Sequence, residues 1–249
     1  MLGSLRAAAV SAADAWQVGI SLAQSTGNYG RTSTTDLSAA TTTLRYRGQR
    51  LLWQLRLPAY SISGPAAVAI GPDGLPVGNS SAGAAGTVTR SGMGDPAMTV
   101  GYELIRSRQQ ILELRASAKL AMTSAARGLG TGRNDYWMEA RYLRLVGRWT
   151  PFLDAGYRFN GRPANVALRD CPFASAGLSY RVTRQWSAGG YVSWRAPVLT
   201  GRTSNEQVAL FGRYAANARW HIDAYAAHGL TTGSPTWMGG LAFERSFSQ

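Results

Sequence analysis

Hydrophobic and polar residues alternate with a period of two along most of this chain. From Ile111 to Met122 the even positions are Leu112, Leu114, Ala116, Ala118, Leu120 and Met122, while the odd ones include Glu113, Arg115, Ser117 and Lys119. One apolar face and one charged face mark a strand. A helix would set Glu113, Ser117 and Lys119 among the apolar residues. The same period predicts twelve strands, at about 15–25, 37–47, 50–61, 95–106, 109–123, 134–146, 149–160, 172–183, 186–198, 205–216, 219–229 and 235–248. Each is long enough for the ~9–11 tilted residues that cross a bilayer as a strand.

The connections alternate too. After the even-numbered strands they are tight: Gly48-Gln49, Ser107-Arg108, Gly147-Arg148, Arg184-Gln185 and Asn217-Ala218. After the odd-numbered strands they are longer and rich in Gly, Pro, Ser and Thr, the longest running from about Ile62 to Gly94. This pattern predicts an all-β fold, a transmembrane antiparallel up-and-down β-barrel with short periplasmic turns and long extracellular loops. An even strand number then puts both termini in the periplasm of a bacterial cell, with the barrel in its outer membrane.

The tryptophans fit that arrangement. Trp16, Trp53, Trp149, Trp186 and Trp220 lie near the short-turn ends of their strands on the apolar parity, as does Phe247; Trp194 and Trp237 share that parity at the opposite end. Amphipathic rings at both rims form the aromatic girdles of a barrel. In a soluble β-sandwich, large aromatics should gather mid-strand. Arg144 and Arg245 fall on the apolar parity, but near the short-turn rim, where a long side chain can reach water.

The polar parity names the expected lumen: Arg45, Arg47, Arg56, Arg115, Lys119, Arg141, Arg158, Arg181, Arg195 and Arg213, with Glu103, Glu113, Asp135, Glu139, Asp154, Asp223, Glu244 and His221. Two readings stay open, a lattice of ion pairs filling the bore and a solute path lined by both signs. Twelve strands fall between the filled eight-stranded barrel and the open channel of 16–18 strands. A narrow bore is expected, with the 62–94 loop outside the wall and a candidate for an inward plug. Strand pairing predicts one cluster of Lys119, Glu139, Arg141, Asp154 and Arg158, with Lys119 opposite Glu139 and Arg141 opposite Asp154.

Composition narrows the functional classes. Charged residues make up 16 % of the chain, against about 25 % in soluble domains. The net charge is +13, and Lys119 is the only lysine. A basic chain raises the question of nucleic acid. Here the arginines recur singly, often beside aromatics, and form no phosphate-tracking stripe, so no nucleic-acid partner is expected. No apolar run reaches the ~18 residues of a membrane-spanning helix. The lone Cys171 excludes an internal disulfide framework or a multi-cysteine metal site. Arg6, a small-residue run and Ala13-Asp14-Ala15 before Trp16 predict a truncated signal-peptide remnant over 1–15, followed by one barrel domain over 16–249.

Three stretches resemble a known family: GMGDPAMTVGYEL (Gly92–Leu104), KLAMTSAARGLGTGRNDY (Lys119–Tyr136) and GRWTPFLDAGYRF (Gly147–Phe159). They are similar to bacterial outer-membrane barrels described as phenol-degradation meta-pathway or outer-membrane transporter proteins. The most distinctive element is GLGTG-x-x-DY, Gly128–Tyr136. The motifs cover about a third of the chain. The resemblance implies a barrel of about this strand number and a role in transport.

Catalytic patterns are sparse. His221 and His228 are the only histidines; His221 has Asp223 two residues on, but no G-x-S-x-G serine motif accompanies them. The Gly128–Gly132 run precedes a strand pattern, not the helix a phosphate loop requires, and is expected to be a flexible surface turn. No H-E-x-x-H spacing occurs. The expected protein is therefore not an enzyme and carries no cofactor or metal. It sits in outer-membrane lipid and passes small solutes passively, its arginines favouring anionic or aromatic-anionic ones. The alternative is a structural or interaction barrel with a plugged lumen and partner-binding extracellular loops. The sequence sets no oligomeric state.

Overall fold

A computed structural model describes residues 15–78, 86–163 and 166–248. The expected signal remnant lies almost wholly outside them. The strands are β1 (Ala15–Gly27), β2 (Thr35–Arg47), β3 (Leu51–Pro65), β4 (Val68–Ile70), β5 (Pro76–Gly78), β6 (Thr87–Met93), β7 (Ala97–Arg106), β8 (Gln110–Lys119), β9 (Asp135–Arg144), β10 (Trp149–Phe159), β11 (Cys171–Arg181), β12 (Trp186–Arg195), β13 (Asn205–Ala215), β14 (Trp220–Gly229) and β15 (Trp237–Ser248). Neighbours pair antiparallel, and β1 pairs with both β2 and β15, which closes the sheet into a ring. β6 and β7 share one wall position: β3 pairs with β7 over Leu51–Arg56 and with β6 over Ala59–Pro65. The result is a closed twelve-stranded barrel.

The 62–94 segment was expected to lie outside the wall, and this needs correction. β3 runs on to Pro65, and Thr87–Met93 returns along it, from Pro65↔Thr87 to Ala59↔Met93. Both faces of β6 are largely exposed. With no buried face, this strand carries no hydrophobic alternation, and its backbone pairing leaves no trace in the pattern.

The short turns repeat one piece of chemistry. Ser107 Oγ accepts from the backbone N–H of Gln109 and Gln110 at 3.2 and 3.0 Å. Thr183 Oγ1 does the same for Gln185 and Trp186, and Asn217 Oδ1 for Arg219 and Trp220. A side-chain oxygen thus satisfies the amides that the reversing chain frees. At the β9–β10 turn Gly147 has φ +62°, a conformation open to glycine without a steric penalty.

Burial along the strands is inside out. Leu114 is 45 % exposed and Ser117 only 8 %. Ile20, Leu22, Met138, Leu153 and Leu210 face outward, while Gln17, Arg45, Glu113, Asp154 and Asp223 are buried inside. Hydrocarbon as the outer solvent accounts for this inversion. In β7 a bulge between Glu103 and Ile105 turns both Leu104 and Ile105 outward.

Register places the rim aromatics side by side. Trp16 stands opposite Tyr46, and Tyr46 opposite Trp53. Their rings meet at 5.0 Å (Trp16–Tyr46) and 6.2 Å (Trp16–Trp53), which leaves Trp53 only half exposed. Trp149–Tyr180 and Trp186–Tyr214 continue the row at 4.5 and 4.6 Å. The Arg245 guanidinium lies 5.3 Å from the Trp220 ring and 4.8 Å from Phe247. Trp194 and Trp237 are exposed at the long-loop rim, with His228 4.5 Å from Trp237.

Candidate functional site in the barrel bore

Three layers fill the bore. At the short-turn end Ile111, Leu143, Phe152 and Phe211 form an apolar cluster with Tyr191 and Tyr225 against it. Glycines on neighbouring strands make room for the rings: a Cβ at Gly177 would strike Phe152, and one at Gly189 would strike Phe211. These apolar residues point inward alongside the charged residues of the polar parity.

The second layer is a lattice of ion pairs. Register sets Glu103 directly opposite Glu113, a like-charge pair that would destabilise the sheet if left alone. Arg47 bridges it, with Nη1 at 2.6 Å from Glu103 and 3.7 Å from Glu113. Arg106 approaches Glu103 at 3.3 Å, and Arg115 holds Glu113 at 2.5 Å and Glu139 at 3.1 Å. Separate pairs join Arg141 to Asp154, Arg45 to Glu244 at 3.5 Å, and Arg213 to Asp223 through two hydrogen bonds of 2.5 and 2.9 Å.

The third layer closes over from the long-loop end. The β4–β5 hairpin lies across the mouth. Val68 and Ile70 pack with Leu37, Ile62 and Leu129 on one side, and Val77 packs with Cys171 and Val198 on the other. At its tip Asp73 pairs with Arg195 of β12. Beside it, Lys119 donates to Asp95 and Thr131 at 3.1 and 3.0 Å and pairs with Asp135 at 2.7 Å. Asp95 also accepts the amides of Met122 and Thr123. The Gly128–Gly132 run was expected to be a flexible surface turn. Instead residues 128–131 are buried: Thr131 meets Lys119, and a Cβ at Gly130 would strike Asp95. The charge of Asp95 and Lys119 draws this loop inward. At the same rim burial pushes the Tyr29 phenol up to about 12, so it stays protonated beside Ser25 at 2.9 Å.

Between the lattice and the hairpin lies a cavity of about 420 Å³. Arg56, Trp137, Arg158 and Phe173 line it. The Arg158 guanidinium lies 4.9 Å from the Trp137 ring and 5.9 Å from Phe173; that of Arg56 lies 6.0 Å from Trp137. Neither arginine pairs with a carboxylate among the described residues, and Nε of each, with Nη1 of Arg158, meets no hydrogen-bond partner.

The predicted five-residue cluster is corrected by the register. Lys119 stands opposite Asp135, and it is Arg115 that stands opposite Glu139, a displacement of four residues from the expected register. Arg141 does meet Asp154, and Arg158 stands opposite Trp137 without reaching Glu139. Arg181 is exposed at the short-turn rim, donating to the Gly147 carbonyl at 3.3 Å. His221 stands opposite Glu244, and Asp223, two residues on, is held by Arg213. Sequence reasoning missed Trp137 and Phe173. Trp137 shares the odd parity of Asp135, Glu139 and Arg141, and that parity alone would have placed it inside.

A family model described as "Putative MetA-pathway of phenol degradation" matches residues 15–247. The chain is similar in fold to an outer membrane channel from Pseudomonas putida F1, with a TM-score of 0.72 at 15 % identity, covering 94 % of this chain and 96 % of that one. The KdgM porin in complex with disordered oligogalacturonate gives 0.56 at 9 % identity over 92 % and 99 % of the two chains. The NanC porin gives 0.56 at 6 % over 93 % and 99 %. No curated protein sequence matches the chain. A match spanning nearly the whole described barrel shows that this chain belongs to the family described as "Putative MetA-pathway of phenol degradation", with the fold of an outer-membrane β-barrel.

Proposed function

We propose that this protein is a passive outer-membrane channel for small solutes, with its short turns and both termini in the periplasm and its long loops outside the cell. The observation that carries this reading is the cavity inside a closed barrel whose outer face is apolar and whose inner face is charged. Its volume lies within the usual range of small-molecule sites. Likeness to a Pseudomonas putida outer membrane channel and to porins supports the same reading. No nucleotide-binding motif appears in the sequence, so movement down a gradient is the mechanism proposed. Preference for anionic or aromatic-anionic solutes follows from arginines that present fork-shaped donors and stack on rings.

A second reading has its own support. The β4–β5 hairpin spans from the β2–β3 side to the β11–β12 side of the mouth, and the apolar cluster fills the opposite end. A barrel so packed could serve as a structural or partner-binding module. Planar-bilayer recording of the purified barrel separates the two. Steady single-channel current supports the channel. A correctly folded barrel that stays silent, and opens when residues 68–78 are deleted, supports the plugged module.

A further inference from the structure

We infer that Arg56, Trp137 and Arg158 form a binding site for a small organic monocarboxylate with an apolar body. Arg158 is 7 % exposed and stands on an inward position of β10, opposite Trp137 of β9. Arg56 reaches the same indole from β3. Three separate strands thus bring two guanidiniums and one ring together at the wall of one cavity.

The argument rests on what surrounds the two cations. The other buried cations of the lattice and of the Lys119 network meet carboxylates. Of the two carboxylates that flank Trp137 on β9, Glu139 is committed to Arg115 at 3.1 Å and Asp135 to Lys119 at 2.7 Å. A buried charge without a counter-charge is costly. The indole face offsets part of that cost through its quadrupole, but it leaves the N–H forks free. Guanidinium donors with open hydrogen-bonding positions match a planar carboxylate, which accepts two parallel N–H bonds. The rest of the lining sets the body of the ligand. Tyr60, Ile70, Phe173 and Leu129 give the cavity apolar walls around the two arginines. An inorganic anion would leave those walls unused, and an uncharged apolar solute would leave the arginines unpaired.

The inference deepens the channel reading, which supplies the route by which a solute reaches the site; binding itself can be measured without transport. Equilibrium dialysis of radiolabelled benzoate against the detergent-folded barrel tests it. Benzoate is the probe because it combines one carboxylate with one apolar ring at a size the cavity holds. Saturable binding of about one equivalent is expected, with acetate and benzyl alcohol each competing at least ~10-fold less well. Arg158→Gln together with Arg56→Gln should weaken benzoate binding at least ~10-fold. Arg158→Lys keeps the charge but loses the fork, and should fall between them; it also serves if the double variant does not fold. Equal competition by benzyl alcohol overturns the carboxylate requirement, and equal competition by acetate overturns the apolar body. Unchanged binding in folded Arg158→Gln overturns the site. Planar-bilayer current recorded in parallel keeps the two readings apart. Binding without conductance retains the site and sinks the channel; conductance without benzoate binding does the reverse.

Discussion

Lys119 and Arg158 are both buried cations on inward positions near the long-loop end of the bore, and they face residues only two apart on β9. Lys119 meets Asp135 and Asp95, and Asp95 in turn holds two loop amides. Arg158 meets the faces of Trp137 and Phe173 and, among the described residues, no carboxylate. The first arrangement knots three chain segments together: the 94–96 break between β6 and β7, the end of β8 and the loop before β9. The second ties nothing down. A cation that braces a fold is surrounded by its partners, whereas one that awaits a solute is held by surfaces that leave its donors free.

The largest effect should come from the brace. Lys119→Met leaves Asp95 and Asp135 buried without their cation, and breaking such a pair costs about 3–5 kcal/mol. Urea unfolding of the barrel in lipid vesicles should show a loss of that order. A loss under ~1 kcal/mol, the range of exposed ion pairs, would falsify the bracing role.

Next comes the wall, where lipid in place of protein surrounds the side chain. Leu114→Arg puts a charge on the outer face in mid-strand, at a cost of about 2–4 kcal/mol near the bilayer midplane. Ser117→Arg, three residues on and facing the bore, should cost less, since it can enter the polar interior beside Thr99. Equal losses in folding from detergent into lipid would mean that the inside-out burial does not describe the membrane-embedded state.

How much of this was visible in the sequence follows from the same physics. The lipid-facing wall was legible because hydrocarbon demands an apolar residue at every second position, and the girdle tryptophans mark its edges. The lumen-facing residues could be named by parity, but their partners could not. Pairing Lys119 with Asp135 instead of Glu139 depends on how many residues the 120–134 connection takes up, and no pattern records that length. Asp73 was missed as a partner because it lies in a loop, where no alternation assigns a side, whereas Asp95, at the start of the expected 95–106 strand, shares the odd parity of Glu103 and was open to assignment. The β7 bulge did leave a sign in the adjacent Leu104 and Ile105, two apolar residues where alternation allows one. Trp137 is inconspicuous in the sequence because its ring type matches the girdle while its odd parity matches the lumen.

A milder test compares the same contact at the rim and in the bore. Arg245 stacks on Trp220 and Phe247 on the outer face near the short turns, open to water. Cation–π contacts at exposed sites are worth roughly 0.5–1 kcal/mol each. Arg245→Ala should therefore lower stability by about 1 kcal/mol, read from the urea midpoint at constant slope. A loss as large as that of Lys119→Met would show that rim stacking contributes as much to stability as the Lys119 knot.

The smallest change is expected at Arg158. Replacing it with Met keeps a long unbranched side chain against Trp137 and Phe173, and removes the charge. Two terms then oppose each other. The lost cation–π contact costs up to about 2 kcal/mol where the cation is desolvated. The removed burden of burying a guanidinium without a counter-charge is worth several kcal/mol in the opposite direction, reduced here because the cavity is polar along part of its lining. The net change should stay within about 1 kcal/mol of the unaltered barrel, and a gain in stability is the sharper outcome. Thermal and urea unfolding of Arg158→Met beside Lys119→Met measure the contrast directly. If Arg158→Met loses as much as Lys119→Met, then Arg158 is a brace after all, and the distinction between a satisfied and an open cation in this bore does not hold.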